Sequence, residues 1–492
     1  MERTRRGRRL WWLLLAPLVV LGVWWAYRYH SGRAFEPTPF TADGPELAAL
    51  RQAVKDASVV LVVIDGARAD HVGCYGYPRK TTPNIDRLAE SSVVFEQHFC
   101  QSTETKSSTA SLLTSQYWDT HLADGPRALL KGTFTWEGGL EAAGFRTALF
   151  SSNLKASPVF GIGDGFQHAE CDRDLEPLVQ EGEKRVHPEV LVRAFRRWVE
   201  GNAGERFFAY LHFMPPHNPY LQPEEMTKLF EGLEPVNFKP GGFEFPERVQ
   251  PPRPILPPLP EWINLYDANL RYGDWAIAEV ERLLRELGLF DNTLLIVTAD
   301  HGEGFGEHGY VWHGSGVYDD VTHIPLLIRF PGDRMAGRRI GTLTQTVDLL
   351  PTIFDLLKVR YPRQWIQGRS LLPLVAGVTG KVHDYTFSRA GGRPTKYLVR
   401  SQSYALILYG NGEWRALYDL ETDPGQRVNI IADREEVAEE MVKVFRRFAE
   451  MQRRPPVDFL DPKAKLPPLP RVREMELSPE QERQLRNLGY LR

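Results

Sequence analysis

The chain predicts an α/β fold: a mostly parallel central sheet sandwiched by helices, with a small α+β subdomain towards the C-terminus. Three observations carry this. Residues 58–64 and 293–299 are nearly unbroken aliphatic and β-branched runs, the pattern of strands covered on both faces, as in a parallel sheet. Residues 274–287 place Ile277, Val280, Leu283, Leu284 and Leu287 on one helical face, which suits a crossover helix leading into the second run. Beyond about residue 385 the pattern changes to short strands followed by a helical stretch, as expected of a smaller subdomain packed on the first.

In chain order, a basic segment comes first, residues 1–9, with Arg3, Arg5, Arg6, Arg8 and Arg9. Residues 10–27 carry no charge and are bracketed by Trp11, Trp12, Trp24 and Trp25. As a helix rising 1.5 Å per residue they would span roughly 27 Å, near the hydrocarbon thickness of a bilayer. A cleaved signal peptide is the alternative, but no small-x-small site follows the run. The arginine excess keeps the N-terminus cytoplasmic. The expectation is a single-pass signal anchor, uncleaved, with the body outside the cytoplasm, periplasmic or extracellular.

A polar stem, 28–57, leads to the body, 58–380. Pro83 and Asn84 open a short helix over 83–89. Residues 146–151, 207–213 and 324–330 read as further buried strands. Residues 235–260 hold nine prolines and exclude regular helix or central strand; a lid and a solvated loop are the two readings. The C-terminal subdomain is expected over 381–452, with strands at 397–400 and 404–409 and a helix at 435–451. A proline-rich tail, 453–492, ends in Ser478-Pro479-Glu480-Gln481, a capping box for one last helix.

The bulk properties exclude several functions. A formal net charge of −3, with no basic stripe beyond the N-terminus, gives no footprint for nucleic acid. Cys74, Cys100 and Cys171 lack CxxC spacing, so neither a zinc finger nor a disulfide scaffold is supported. The run 302–306 imitates part of a nucleotide loop without the following helix or acidic partner, and is set aside.

The chemistry concentrates at two strand ends. Asp65 closes the first aliphatic run and Asp300 the second, with His301 and Glu303 directly after it. Ligands bind beyond the carboxyl ends of strands in open α/β sheets. Two carboxylates and an imidazole brought to one sheet edge make a metal site, because buried carboxylates without a cation are costly.

Several motifs then point to one family. Asp65-Gly66-Ala67-Arg68-Ala69-Asp70-His71 with Thr82-Pro83-Asn84-Ile85-Asp86, Ala110-Ser111-Leu112-Leu113-Thr114, Asp300-His301-Gly302-Glu303 with Gly306-Glu307-His308-Gly309, Leu417-Tyr418-Asp419-Leu420, and Leu485-Arg486-Asn487-Leu488-Gly489-Tyr490 stand in one order. From about residue 58 onward the chain resembles bacterial sulfatases of the alkaline phosphatase superfamily. Their nucleophile heads Cys-x-Pro-Ser-Arg, the cysteine becoming formylglycine. Ungapped counting from Phe95 and from Ala110 puts Thr105 there, followed by Lys106-Ser107-Ser108-Thr109. Threonine at this place is similar to the nucleophile of the phosphodiesterase, phosphoethanolamine-transferase and lipoteichoic-acid-synthase branches.

The resemblance implies metal ligands Asp65, Thr105, Asp300 and His301, and catalytic or anion-holding roles for Thr105, His212, His217 and His313. It implies one divalent ion, zinc, manganese or calcium, with a second left open because Pro215 stands where relatives often carry an acid. Gly66, in place of a second aspartate, shifts preference from calcium toward zinc or manganese. The lysine of many sulfatases would fall near Gly314 and is missing. The expected activity is metal-dependent hydrolysis of phosphate or sulfate esters, on an envelope glycan or lipid, through a covalent intermediate on Thr105. The alternatives are a phosphoethanolamine-type transferase and a non-catalytic sulfatase-like binding protein.

Overall fold

The structure, a computed structural model, describes residues 44–123, 133–171, 175, 186–218, 220, 222–236, 259–392, 395–410 and 415–452. The predicted anchor, the basic segment, most of the proline-rich insertion and the C-terminal tail lie outside the described residues. Among those described, no helix is long and apolar enough to cross a membrane.

The body is built on eight strands: β1 Ser58–Ile64, β2 Val93–Phe99, β3 Arg146–Ser151, β4 His168–Cys171, β5 Phe207–Phe213, β6 Thr293–Ala299, then β9 Leu326–Arg329 and β10 Arg339–Gln345 after a two-strand excursion, β7 Gly304–Phe305 and β8 Val311–Trp312. Their order is β10-β2-β9-β6-β1-β5-β3-β4. All neighbours pair in parallel except β9, which runs antiparallel to both β2 and β6. The reversal has a local cause, since no long crossover helix separates β6 from β9 and a short return can only form an antiparallel neighbour.

The aliphatic runs end up where their composition requires. All seven residues of β1 are buried. Val60, Val62 and Ile64 join one core layer and Val59, Leu61 and Val63 the other, the period-two alternation of a strand with both faces covered. The Leu259–Glu286 helix covers the first layer; the predicted 274–287 stretch is its C-terminal half. The Thr105–Thr114 and Leu349–Leu357 helices cover the second.

The C-terminal subdomain is a four-stranded antiparallel sheet of β11 Thr386–Ala390, β12 Lys396–Arg400, β13 Tyr404–Tyr409 and β14 Arg415–Asp419. The Glu435–Met451 helix packs Ala438, Met441, Val442, Phe445, Phe448 and Ala449 inward, the three-and-four spacing of an amphipathic helix. β11 is tied to the body through Arg389, whose carbonyl accepts from Thr103 N at 3.1 Å and whose N–H donates to Gln101 O at 2.9 Å. The subdomain therefore flanks the approach to Thr105.

One buried acid far from the sheet edge makes stability depend on pH. Glu137, in the Trp136–Ala142 helix, is 2% exposed, and burial pushes its carboxyl up to about 7. Between its ordinary value of about 4.5 and about 7, the folded chain holds a proton that the unfolded chain has released. Stability must therefore fall as pH rises through that window. Glu137→Gln is expected to flatten this part of the stability curve and to gain on the order of 2–3 kcal/mol at pH 8. Denaturant titrations from pH 5 to 8 read it; parallel curves for the two proteins would refute it.

Candidate active site

Register delivers the two aspartates to one place. Ile64 pairs with Ala299 of β6 and with Phe213 of β5, so three adjacent strands finish level and release Asp65, Asp300 and Met214 at the same edge. The turn after β1 needs Gly66, whose φ of 75° lies in the left-handed region. Its N–H donates to Asp300 Oδ1 at 3.2 Å. Thr105 is the first residue of its helix and fully buried. Its Oγ1 lies 3.2 Å from His301 Nε2.

Each carboxylate has one oxygen held by protein and one left over. Asp65 Oδ2 accepts from His212 Nε2 at 3.0 Å and from Asn153 Nδ2 at 2.5 Å. Asp300 Oδ1 accepts from the N–H of Gly66 and of His301. Asp65 Oδ1 and Asp300 Oδ2 are buried without a hydrogen-bond partner, at 3.6 and 3.4 Å from His301 Nε2. His301 Nδ1 faces the Gly302 carbonyl at 2.9 Å, an acceptor only, so the proton of the neutral ring sits on Nδ1 and Nε2 presents a lone pair. Two orphaned oxygens, a bare imidazole nitrogen and a hydroxyl thus converge, a donor set that fits a divalent cation.

The electrostatics agree. Burial pushes both carboxyls up; around Asp65 the imidazoles of His217, His212 and His301 overcome it and hold the group well below the usual range. Asp300 is raised by burial and then by the charge of Asp65. Two buried like charges strain against each other, and a cation between them removes the strain.

Asp65, Asp300 and His212 also have ligand atoms within 4.8 Å of one another. The orphaned oxygens favour His301 as the imidazole ligand, because His212 already spends Nε2 on Asp65 Oδ2. Its Nδ1 meets Tyr210 OH at 2.7 Å, and the ring is fully buried. Expected to handle substrate, His212 instead sits behind Asp65 and orients it.

His217 and His313 do converge on the cluster. The rings of His313 and His301 stack with centroids 4.2 Å apart, and His217 lies 4.8 Å from His313. Each has its Nδ1 engaged, His217 with Asn218 O at 2.5 Å and His313 with Glu303 Oε1 at 3.1 Å. Burial first, then His301 and His217, hold His313 well below the ordinary imidazole range.

The comparisons with known proteins agree with this edge. The family model described as Sulfatase matches residues 57–359, which include β1, Thr105, the His217 loop and Asp300-His301. The chain belongs to the sulfatase family. A second model, N-sulphoglucosamine sulphohydrolase, C-terminal, matches residues 306–454 of this sulfatase-family hydrolase. The uncharacterized sulfatase YidJ of Escherichia coli (strain K12) is 26% identical over 437 residues, covering 77% of this chain and 84% of the relative. Among solved structures, the phosphonate monoester hydrolase of Silicibacter pomeroyi shares the fold with a TM-score of 0.67 at 21% identity, covering 82% of this chain and 96% of its own. A structure in complex with its substrate D-glucosamine-2-N,6-O-disulfate matches with a TM-score of 0.67 at 19% identity, covering 81% and 98%.

Within this sulfatase-family site, several residues escaped the sequence reading. Asn153 and Lys155 lie just past the predicted third strand, so the strand-end rule could have flagged them. Burial pushes the Lys155 ammonium down to about 8, against the charges of Glu104 and Asp65. Tyr210 meets His212, and Glu303, marked in sequence only as part of the Asp300 motif, meets His313; nothing local in sequence marks such pairings.

Proposed function

We propose that this ester hydrolase uses Thr105 as a covalent nucleophile and turns over phosphate esters or diesters better than sulfate esters. The observation that carries it is the Thr105 hydroxyl, buried at the point where His301 Nε2 and the orphaned oxygens of Asp65 and Asp300 meet. Asp65, Asp300, His301 and Thr105 would hold one divalent ion, with zinc or manganese preferred over calcium, and that ion would supply the charge that makes the hydroxyl acidic. Thr105 Oγ1 gives up its proton to the imidazole side of the cleft formed by His217 and His313 and forms the new bond to phosphorus or sulfur, the bond to the ester oxygen breaks, and that oxygen takes up the same proton from those imidazoles. Water then attacks the threonyl ester and restores the hydroxyl. His212 and Asn153 keep Asp65 in place throughout. The predicted anchor at residues 10–27 would put this chemistry on envelope glycans or lipids.

The preference for phosphorus follows from the nucleophile. A formylglycine hydrate expels sulfate by collapsing to an aldehyde, breaking its own C–O bond. Threonine has no such route, so a sulfated Thr105 needs water to attack sulfur directly. A phosphorylated threonine needs only attack at phosphorus. The clean comparison is an aryl sulfate against an aryl phosphodiester of equal charge. A higher kcat/KM for the diester is expected. A sulfate preference that disappears in Thr105→Ala would overturn the assignment while retaining the nucleophile.

A further inference from the structure

We propose that Glu104 sets the charge of the substrate, discriminating against doubly charged esters, with Lys155 acting in the opposite sense. This rests on the reading of Thr105 as the nucleophile. Glu104 is the N-cap residue of the Thr105 helix, in extended backbone, and its side chain makes no capping hydrogen bond. Helix starts favour Ser, Thr, Asp or Asn, which cap with their own oxygen. Glu104 does not cap, so its charge calls for another explanation.

Its side chain is wedged where two loops meet the nucleophile. A Cβ added to Gly314, directly after His313, would lie 3.4 Å from Glu104 Cγ. One added to Gly391, just past β11, would lie 2.6 Å from Oε1, closer than real Cβ atoms come. A side chain at Gly391 would displace the carboxylate, whereas a Cβ at Gly314 would make an ordinary contact with it. Lys155 comes two residues after the asparagine that holds Asp65. Its ammonium interacts electrostatically with both Glu104 and Asp65, and with His313. The charges of Glu104, next to Thr105, and of Lys155 therefore both act on this site.

The helix N-terminus next to them carries roughly half a positive charge, which favours any anion. A full negative charge added there opposes the second charge of a phosphate monoester more than the single charge of a phosphodiester or a sulfate ester. At about pH 7 a monoester is mostly doubly ionised, its second pKa being about 6. Removing Glu104 should help the dianion selectively, and removing Lys155 should hurt it selectively.

The test is the ratio of kcat/KM for p-nitrophenyl phosphate to that for methyl p-nitrophenyl phosphate at about pH 7, in low salt. Glu104→Gln is expected to raise the ratio about tenfold and Lys155→Met to lower it by a similar factor. A structural role alone would depress both substrates together. Dissociation constants of methyl phosphate and dimethyl phosphate, read by calorimetry on the same proteins, report the same discrimination without turnover. If wild type turns over neither ester, the esterase reading fails and the binding ratio still decides the charge proposal. Ratios unchanged within twofold in both variants, by turnover or by binding, would overturn it.

Discussion

Thr105→Ala is expected to lower kcat/KM for the best ester by 10⁴-fold or more while the chain stays folded. In the proposed mechanism the hydroxyl is the atom that bonds to the transferred group. Ser108 Oγ, one turn along the helix, is engaged, donating to Asp300 O at 2.5 Å. The structural cost is small, because Thr105 Oγ1 meets only His301 among the hydrogen bonds described. Losing one hydroxyl and one methyl costs on the order of 1–2 kcal/mol. Thr105→Ser keeps the oxygen and should retain activity within about a hundredfold. Acid-quenched wild type should carry the transferred group on the peptide containing Thr105, seen as a mass increase that both hydrolysis and Thr105→Ala abolish. Activity of the alanine variant within tenfold of wild type would end the covalent assignment.

The second large effect concerns the metal. Asp300→Asn should reduce bound divalent ion from about one per chain to background, measured by elemental analysis after desalting. Asparagine keeps an oxygen at the Oδ1 position for the N–H groups of Gly66 and His301. It replaces the orphaned Oδ2 with an amide that can donate to the lone pair on His301 Nε2. The metal-free variant should therefore be at least as stable as metal-free wild type, because the Asp65–Asp300 repulsion is gone. Added zinc or manganese should stabilise wild type by about 2.7 kcal/mol at a hundredfold excess over Kd, and leave the variant unmoved. Equal metal content in the two proteins, or equal thermal shifts, would refute Asp300 as a ligand independently of any activity.

Much of the site was legible because its two carboxylates and His301 sit at strand ends. Asp65 and Asp300 follow aliphatic runs whose composition admits only a buried strand, and the carboxyl edge of a parallel sheet is where ligands collect. Thr105 was located by counting within a motif framework, and the structure puts it at the start of a helix beside His301. In the main sheet, the strands missed were those of mixed composition: β2 carries Glu96, Gln97 and His98, β4 is four residues long, and β10 opens on an exposed arginine. Each relies on neighbours for burial, so its own pattern is weak.

His212 shows the limit from the other side. Its motif marked it as functional, but whether a histidine meets substrate or stands behind a carboxylate depends on which strand lies next to it. The partners of the two aspartates are 88, 147 and 234 residues away in sequence. Local pattern by itself determined where the strands and their terminal aspartates fall, since hydrophobic periodicity is a property of consecutive residues. Only the tertiary structure decided which oxygen of each carboxylate stays open, that His212 is spent on Asp65, and that Glu104 lies against the Gly314 and Gly391 turns. Those outcomes depend on side chains brought together by packing, and no short-range pattern in the chain encodes them.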